Sequence, residues 1–214
     1  MKSRISQARL YGILDLGYVG SCRLVEMARR LVAPGGVDIL QLRAKSFSAA
    51  EVATFAQPLV QVARDAGIPF VINDFAEVAV EVGADGVHVG QDDASIDAVR
   101  QLVGPDRIVG KSTHSLTQAR AAVLEAIDYI GFGPIFATPT KPEYQPIGPE
   151  DIATVERESP VPVFCIGGIK RENLASLLES GARRVVIVSG LLQAEDLSAY
   201  LRDVRAMLEL SRSA

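Results

Sequence analysis

The sequence predicts an α/β protein folded as a single-domain (β/α)8 TIM barrel, and two observations carry that prediction. Short apolar runs of β type alternate with longer amphipathic stretches along the chain, eight of each. The apolar runs show little in–out alternation, as expected of strands buried on both faces in a parallel sheet. A third observation weighs against the rival, an open doubly wound sheet: no Gly-x-Gly-x-x-Gly follows the first run. No linker, low-complexity segment or composition break divides residues 1–214.

In order, the strands are expected at Leu10–Leu14, Val37–Leu42, Phe70–Asn73, Gly86–Val89, Arg107–Gly110, Tyr129–Phe132, Val163–Ile166 and Arg184–Val188. The helices between and after them are expected at Ser21–Val32, Ser48–Ala66, Phe75–Val82, Ser95–Val103, Ser115–Ala126, Gly148–Glu158, Arg171–Ser180 and Leu191–Leu210. Ser48 followed by Glu51 reads as a capping box at the start of the second helix. The stretches 65–69, 82–86, 126–129 and 180–183 read as turns leading from a helix into the next strand. The longest irregular stretch, Gly133–Ile147, follows the sixth strand and holds four prolines. In a barrel this is a loop over the mouth, placed to act as a lid.

Composition bounds the function. Of the 214 residues, 48% are hydrophobic and 22% charged, ordinary for a globular domain, and the net charge is -4. No basic stripe points to nucleic acid, so an anionic ligand must be held by local cations. Cys22 and Cys165 lack metal-site spacing and read as buried thiols in a reducing compartment. Met1–Arg9 is polar, without the apolar core of a signal peptide, and no apolar run approaches the ~20 residues of a membrane span. A cytoplasmic enzyme with small-molecule partners is the expectation. A homodimer is left open.

Barrel active sites form at the C-terminal ends of strands, so those ends carry the functional reading. The second strand ends Gln41-Leu42-Arg43-Ala44-Lys45. Gln41 and Arg43 share one face, with Lys45 just beyond, an arrangement that suits a polyanion. The third strand ends Asn73-Asp74 and the fourth is followed by Gln91-Asp92-Asp93. Carboxylates at neighbouring exits can share a Mg²⁺ ion whose shell a phosphate completes, the reading favoured over a helix cap at Asp92 or Asp93 because cations from the second strand imply a phosphate partner. The fifth strand leads into Lys111-Ser112-Thr113-His114, where Ser112 can donate to a phosphate oxygen. His114 and His88 are the two histidines of the chain, each either structural or a proton carrier. Thr138, Thr140 and Lys141 on the sixth loop can grip a phosphate. Gly167-Gly168 after the seventh strand and Val188-Ser189-Gly190 after the eighth match the place where barrels hold a monophosphate. The layout therefore suggests two anion sites. One is assisted by Mg²⁺ beside the second to fourth strands, and a metal-free one lies at the seventh and eighth. A two-substrate transferase fits them.

These motifs, in this order and spacing, resemble the thiamine-phosphate synthase family from Leu10 to about Arg205. The matching segments are Gln41–Lys45, Asn73-Asp74, Gly86–Asp93, Gly131–Phe136 through Lys141, and Gly167–Ile169. The resemblance implies condensation of 4-amino-2-methyl-5-hydroxymethylpyrimidine diphosphate with a thiazole phosphate. Pyrophosphate leaves, and CO2 also leaves when the thiazole is carboxylated. It implies that Gln41, Arg43, Lys45, Asn73, Ser112 and Lys141 hold the pyrimidine diphosphate. Asp74 and Asp93 would hold Mg²⁺. Thr138, Thr140, Gly168, Val188 and Ser189 would hold the thiazole phosphate. Arg43, Lys45, Ser112 and Lys141 would be the catalytic set, acting on a departing pyrophosphate in a dissociative reaction. Phe75, Ala137, the Leu14-Asp15-Leu16 strand end and Cys165 depart from the commonest pattern. The rival readings are a thiazole tautomerase using His114 and a non-catalytic phosphate-binding barrel.

Overall fold

The computed structural model describes residues 1–138 and 145–211. Eight parallel strands close into a barrel in sequence order. They are β1 (Leu10–Asp15), β2 (Ile39–Arg43), β3 (Phe70–Asn73), β4 (Gly86–Val89), β5 (Ile108–Thr113), β6 (Tyr129–Phe132), β7 (Val163–Cys165) and β8 (Val185–Ile187). The helices are α1 (Lys2–Gln7), α2 (Leu24–Leu31), α3 (Ala49–Ala66), α4 (Ala76–Glu81), α5 (Ile96–Val103), α6 (Leu116–Ala122), α7 (Ile152–Glu158), α8 (Arg171–Glu179), α9 (Ser189–Leu192) and α10 (Leu197–Leu210). A short 3₁₀ turn, Ser21–Arg23, precedes α2.

Two apolar cores sandwich the strands. The larger lies between the strands and the surrounding helices. The smaller fills the barrel with Tyr11, Ile13, Ile39, Val71, Ile108, Tyr129, Phe164 and Val186. The helix α1 was not expected from the sequence; its Ile5, with Ala8 just beyond it, joins the inner core and plugs the barrel floor.

Three aspartates repeat at the floor, each one residue before a strand. The N–H of Asp38 donates to the carbonyl of Leu10, while the N–H of Leu10 donates to the Asp38 carboxylate at 2.9 Å. Asp85 makes the same reciprocal pair with Phe70, and Asp128 makes it with Val109, at 2.9 and 2.8 Å. These acids tie β1 to β2, β3 to β4 and β5 to β6 before the strands begin to pair.

Some expected boundaries shift. β5 runs three residues further, so Ser112 and Thr113 lie in the strand; Thr113 is buried and its hydroxyl donates to the Gly131 carbonyl. The helix expected at Leu191–Leu210 is two helices, because the Asp196 side chain accepts from the Ala199 N–H and starts α10 afresh. The capping box of Ser48 and Glu51 is present at α3. Of the two cysteines expected to be buried, Cys165 in β7 is, whereas Cys22 is exposed because it lies in the 3₁₀ turn outside the core.

Candidate active site

The mouth of the barrel opens into a cavity lined from all sides by strand ends. On β1 and β2 the register pairs Ile13 with Gln41 and Asp15 with Arg43. Inward alternation then places all four on the cavity wall. Arg43 meets Asp15 at 2.5 Å, both side chains nearly buried, and the other Asp15 oxygen accepts the Gly17 N–H. The pair fixes where the guanidinium points and leaves its remaining N–H groups for a ligand. Asn73, Ser112, Thr138, Gly168, Val188 and Ser189 line the same cavity. Gly168 sits at φ +63°, and a Cβ there would meet the Ala137 carbonyl at 2.6 Å. Only glycine lets that backbone face the cavity at this position.

An adjoining pocket holds the charged residues beyond the rim: Lys45, Asp74, Asp92 and Asp93, with Asn73, His88, Ser112 and His114 shared between the two. Lys45 lies 3.8 Å from Asp74. Asp74 has φ +67°, a left-handed conformation rare outside glycine, and its N–H donates to the His88 carbonyl of β4. Strain of this kind persists where surrounding structure holds it, and here it turns the carboxylate into the pocket. Asp93 accepts the Gly90 N–H at 2.6 Å. Neither Asp92 nor Asp93 caps α5, contrary to one sequence expectation; Ser95 does. Among the described residues, no group of three or more His, Cys, Asp or Glu is gathered as a metal cage.

A polar chain runs from the buried Gln41, Tyr11 and Tyr129 to the half-buried His88 and Ser112 on the cavity wall. Gln41 Nε2 donates to the Tyr11 hydroxyl, 2.8 Å, which lies 3.0 Å from the Tyr129 hydroxyl. Tyr129 is 3.0 Å from His88 Nδ1, and His88 Nε2 is 2.9 Å from Ser112 Oγ. Burial pushes both phenol pKa values up, so the hydroxyls stay protonated.

The structure thus brings Gln41, Arg43, Asn73, Ser112, Thr138, Gly168, Val188 and Ser189 into one cavity, and Lys45, Asp74 and Asp93 into its annex. The sequence layout set Gln41 and Arg43 apart with the acids; they instead share a cavity with the seventh- and eighth-strand turns, because eight strand ends converge on one narrow mouth. Thr140 and Lys141 lie outside the described residues. Lys111 faces away and pairs with Glu125 at 2.7 Å. Sequence reasoning gave no role to Asp15, Tyr11 or Tyr129. Asp15 was detectable as a charged residue at a strand end; the tyrosines read only as apolar strand residues.

A closed parallel barrel with a polar cavity at its strand exits defines the class: a TIM-barrel enzyme. The family model described as thiamine monophosphate synthase matches residues 10–191, and the chain belongs to that family. With it the chain is a transferase of thiamine biosynthesis. It is 41% identical over 202 residues to the thiamine-phosphate synthase of Shouchella clausii, covering 94% of this chain and 96% of that protein. It is 39% identical over 220 residues to the thiamine-phosphate synthase of Bacillus cereus, covering 99% of each. Among solved structures, the thiamine phosphate pyrophosphorylase of Pyrococcus furiosus superposes with a TM-score of 0.87 at 29% identity, covering 98% of each chain. Among the described residues, no helix is long and apolar enough to cross a membrane.

Proposed function

We propose that this chain joins 4-amino-2-methyl-5-hydroxymethylpyrimidine diphosphate to hydroxyethylthiazole phosphate or its carboxylated form. The products are thiamine phosphate and pyrophosphate, with CO2 from the carboxylated thiazole. One observation carries the reading: residues suited to an aminopyrimidine diphosphate and residues suited to a monophosphate line the same cavity, with a cation and three acids, Asp74, Asp92 and Asp93, in its annex.

Gln41 and Asn73 offer amide groups to the heterocycle. Arg43, oriented by Asp15, and Lys45 take up the charge that develops on the diphosphate as its C–O bond breaks. Ser112 donates to a phosphate oxygen, and Lys141 adds a further cation. The electron push comes from the amino group of the substrate, so no protein nucleophile is needed, and the thiazole nitrogen captures the resulting cation. Thr138, Thr140, Gly168, Val188 and Ser189 hold the thiazole phosphate. The short helix α9, starting directly after β8, matches the extra helix that barrels use beside this kind of phosphate.

The donor set fits Mg²⁺. Asp74 and Asp93 face one pocket and supply hard oxygen ligands, leaving the remaining positions to water and phosphate oxygens, as this ion prefers. Bound there, Mg²⁺ would supply neutralisation of the diphosphate charge. The same reading places the enzyme in the cytoplasm, consistent with two unpaired cysteines.

The test is to incubate the purified chain with both precursors and Mg²⁺ and to follow thiamine phosphate and pyrophosphate. Stoichiometric appearance of both supports the reading. Tautomerised thiazole without coupling would favour proton transfer by His114, and binding without turnover a non-catalytic barrel; either would overturn it.

A further inference from the structure

The hydrogen-bond chain from Gln41 to Ser112 has a direction. An amide nitrogen can only donate, so Tyr11 oxygen accepts from Gln41 Nε2. The single Tyr11 hydrogen then goes to Tyr129, and the Tyr129 hydrogen to His88 Nδ1. With Nδ1 accepting, the neutral imidazole carries its proton on Nε2 and donates it to Ser112 Oγ. The Ser112 hydrogen is thereby turned outward to the cavity. At the other end, Gln41 Oε1 is buried and has no hydrogen-bond partner among the described residues. A buried acceptor of this kind calls for a ligand N–H.

The barrel is shaped to hold this chain. His88, Gly110 and Tyr129 are register neighbours on β4, β5 and β6. A Cβ on Gly110 would lie 2.1 Å from Tyr129 Cζ and 2.5 Å from its hydroxyl oxygen. Glycine between them lets the His88 and Tyr129 rings stack, 5.5 Å apart at 24°. Phe164 packs edge-on against both tyrosines at 5.5 Å, fixing the rings and hence the hydroxyls.

We infer that Tyr11, Tyr129 and His88 are positioning residues: a one-way hydrogen-bond relay that sets Gln41 Oε1 to accept from a substrate amino group and Ser112 to donate to a substrate phosphate oxygen. The inference rests on the proposed function for the identity of those two substrate groups. Bonds in such a chain polarise one another, so an amino group engaged at Gln41 strengthens the donor at Ser112, about where the leaving group departs. The reversed relay would need a flipped Gln41 amide and a proton on His88 Nδ1, which makes the direction measurable.

The first measurement needs no variant and no substrate. Long-range ¹H–¹⁵N spectra of the intact labelled chain are expected to show His88 protonated on Nε2; protonation on Nδ1 would overturn the relay. The second is kinetic. Tyr129→Phe is expected to lower kcat about tenfold, with a smaller change in KM and a retained thermal transition. Ser112→Ala should cost about tenfold in the wild-type background and at most about twofold on top of Tyr129→Phe. Costs that multiply independently would reduce Tyr129 to a packing residue and sink the relay. If the unmodified chain couples no precursors, the proposed function fails while the spectrum still decides the direction of the chain.

Discussion

The two ends of the barrel use aspartate in opposite ways. At the floor, Asp38, Asp85 and Asp128 precede strands, and each is occupied by the N–H of a neighbouring strand. Arginines complete two of these clusters: Arg205 at Asp38 and Arg100 at Asp128. At the mouth, Asp15, Asp74 and Asp93 follow or end strands, and all three line the cavity or its annex. One side chain thus does two jobs according to which end of a strand it occupies. At the floor the carboxylates accept N–H groups from a neighbouring strand and tie the barrel together. At the mouth the backbone N–H groups that Asp15 and Asp93 accept are local, those of Gly17 and Gly90, and with Asp74 these acids line the open cavity or its annex.

The comparison is open to attack at both ends. The largest effect is expected at the mouth: Asp93→Ala should lower coupling by about a hundredfold or more while thiazole phosphate affinity stays largely intact. Unchanged turnover would remove Asp93 from the proposed Mg²⁺ ligands. At the floor, Asp85→Ala should lower unfolding free energy by about 1–3 kcal/mol, because the Phe70 N–H loses its acceptor. Denaturant titration measures this, and turnover of the folded variant should match the parent. A mouth residue outside the acids, Ser189→Ala, should weaken thiazole phosphate binding by about 1–3 kcal/mol in calorimetry. No change would take Ser189 out of the proposed phosphate site.

The smallest effect is a pH signature of the floor. Burial alone would raise the Asp38 carboxyl, but the Arg205 guanidinium and the N–H groups of Leu10 and Arg9 outweigh it and hold the pKa below the ordinary carboxylate range. A depressed folded pKa contributes stability above the unfolded value, about 3.9, and loses it as pH falls through the folded value. The melting temperature of Asp38→Asn should therefore fall short of the parent at pH 7, and the gap should narrow below about pH 4. A gap independent of pH would assign Asp38 a packing role only.

The strand order and the strand exits were legible in the sequence because both follow from local signals. Apolar runs marked the strands, and polar clusters marked their ends. The capping box at Ser48 was legible for the same reason: its partners lie three residues apart. The break before α10 was missed because the Asp196 cap competes with an uninterrupted amphipathic pattern. The helix α1 was missed because one buried isoleucine in a polar segment gives no periodicity.

Within the site, the residue types at Gln41, Arg43, Asn73, Asp74, Asp93, Gly168 and Ser189 could be read from their positions after strands. Their grouping could not. Asp15 meets Arg43 across 28 residues through strand register, and Asp74 takes its left-handed turn because the His88 carbonyl holds its N–H. The direction of the Gln41–Tyr11–Tyr129–His88–Ser112 chain depends on contacts spanning up to 118 residues. The sequence by itself determined that eight strands would carry acids, cations and hydroxyls to their exits, since periodicity and residue chemistry are local properties. Only the closed barrel decided which of those groups share a cavity and which way their hydrogens point, because closure alone brings distant strands within hydrogen-bond reach.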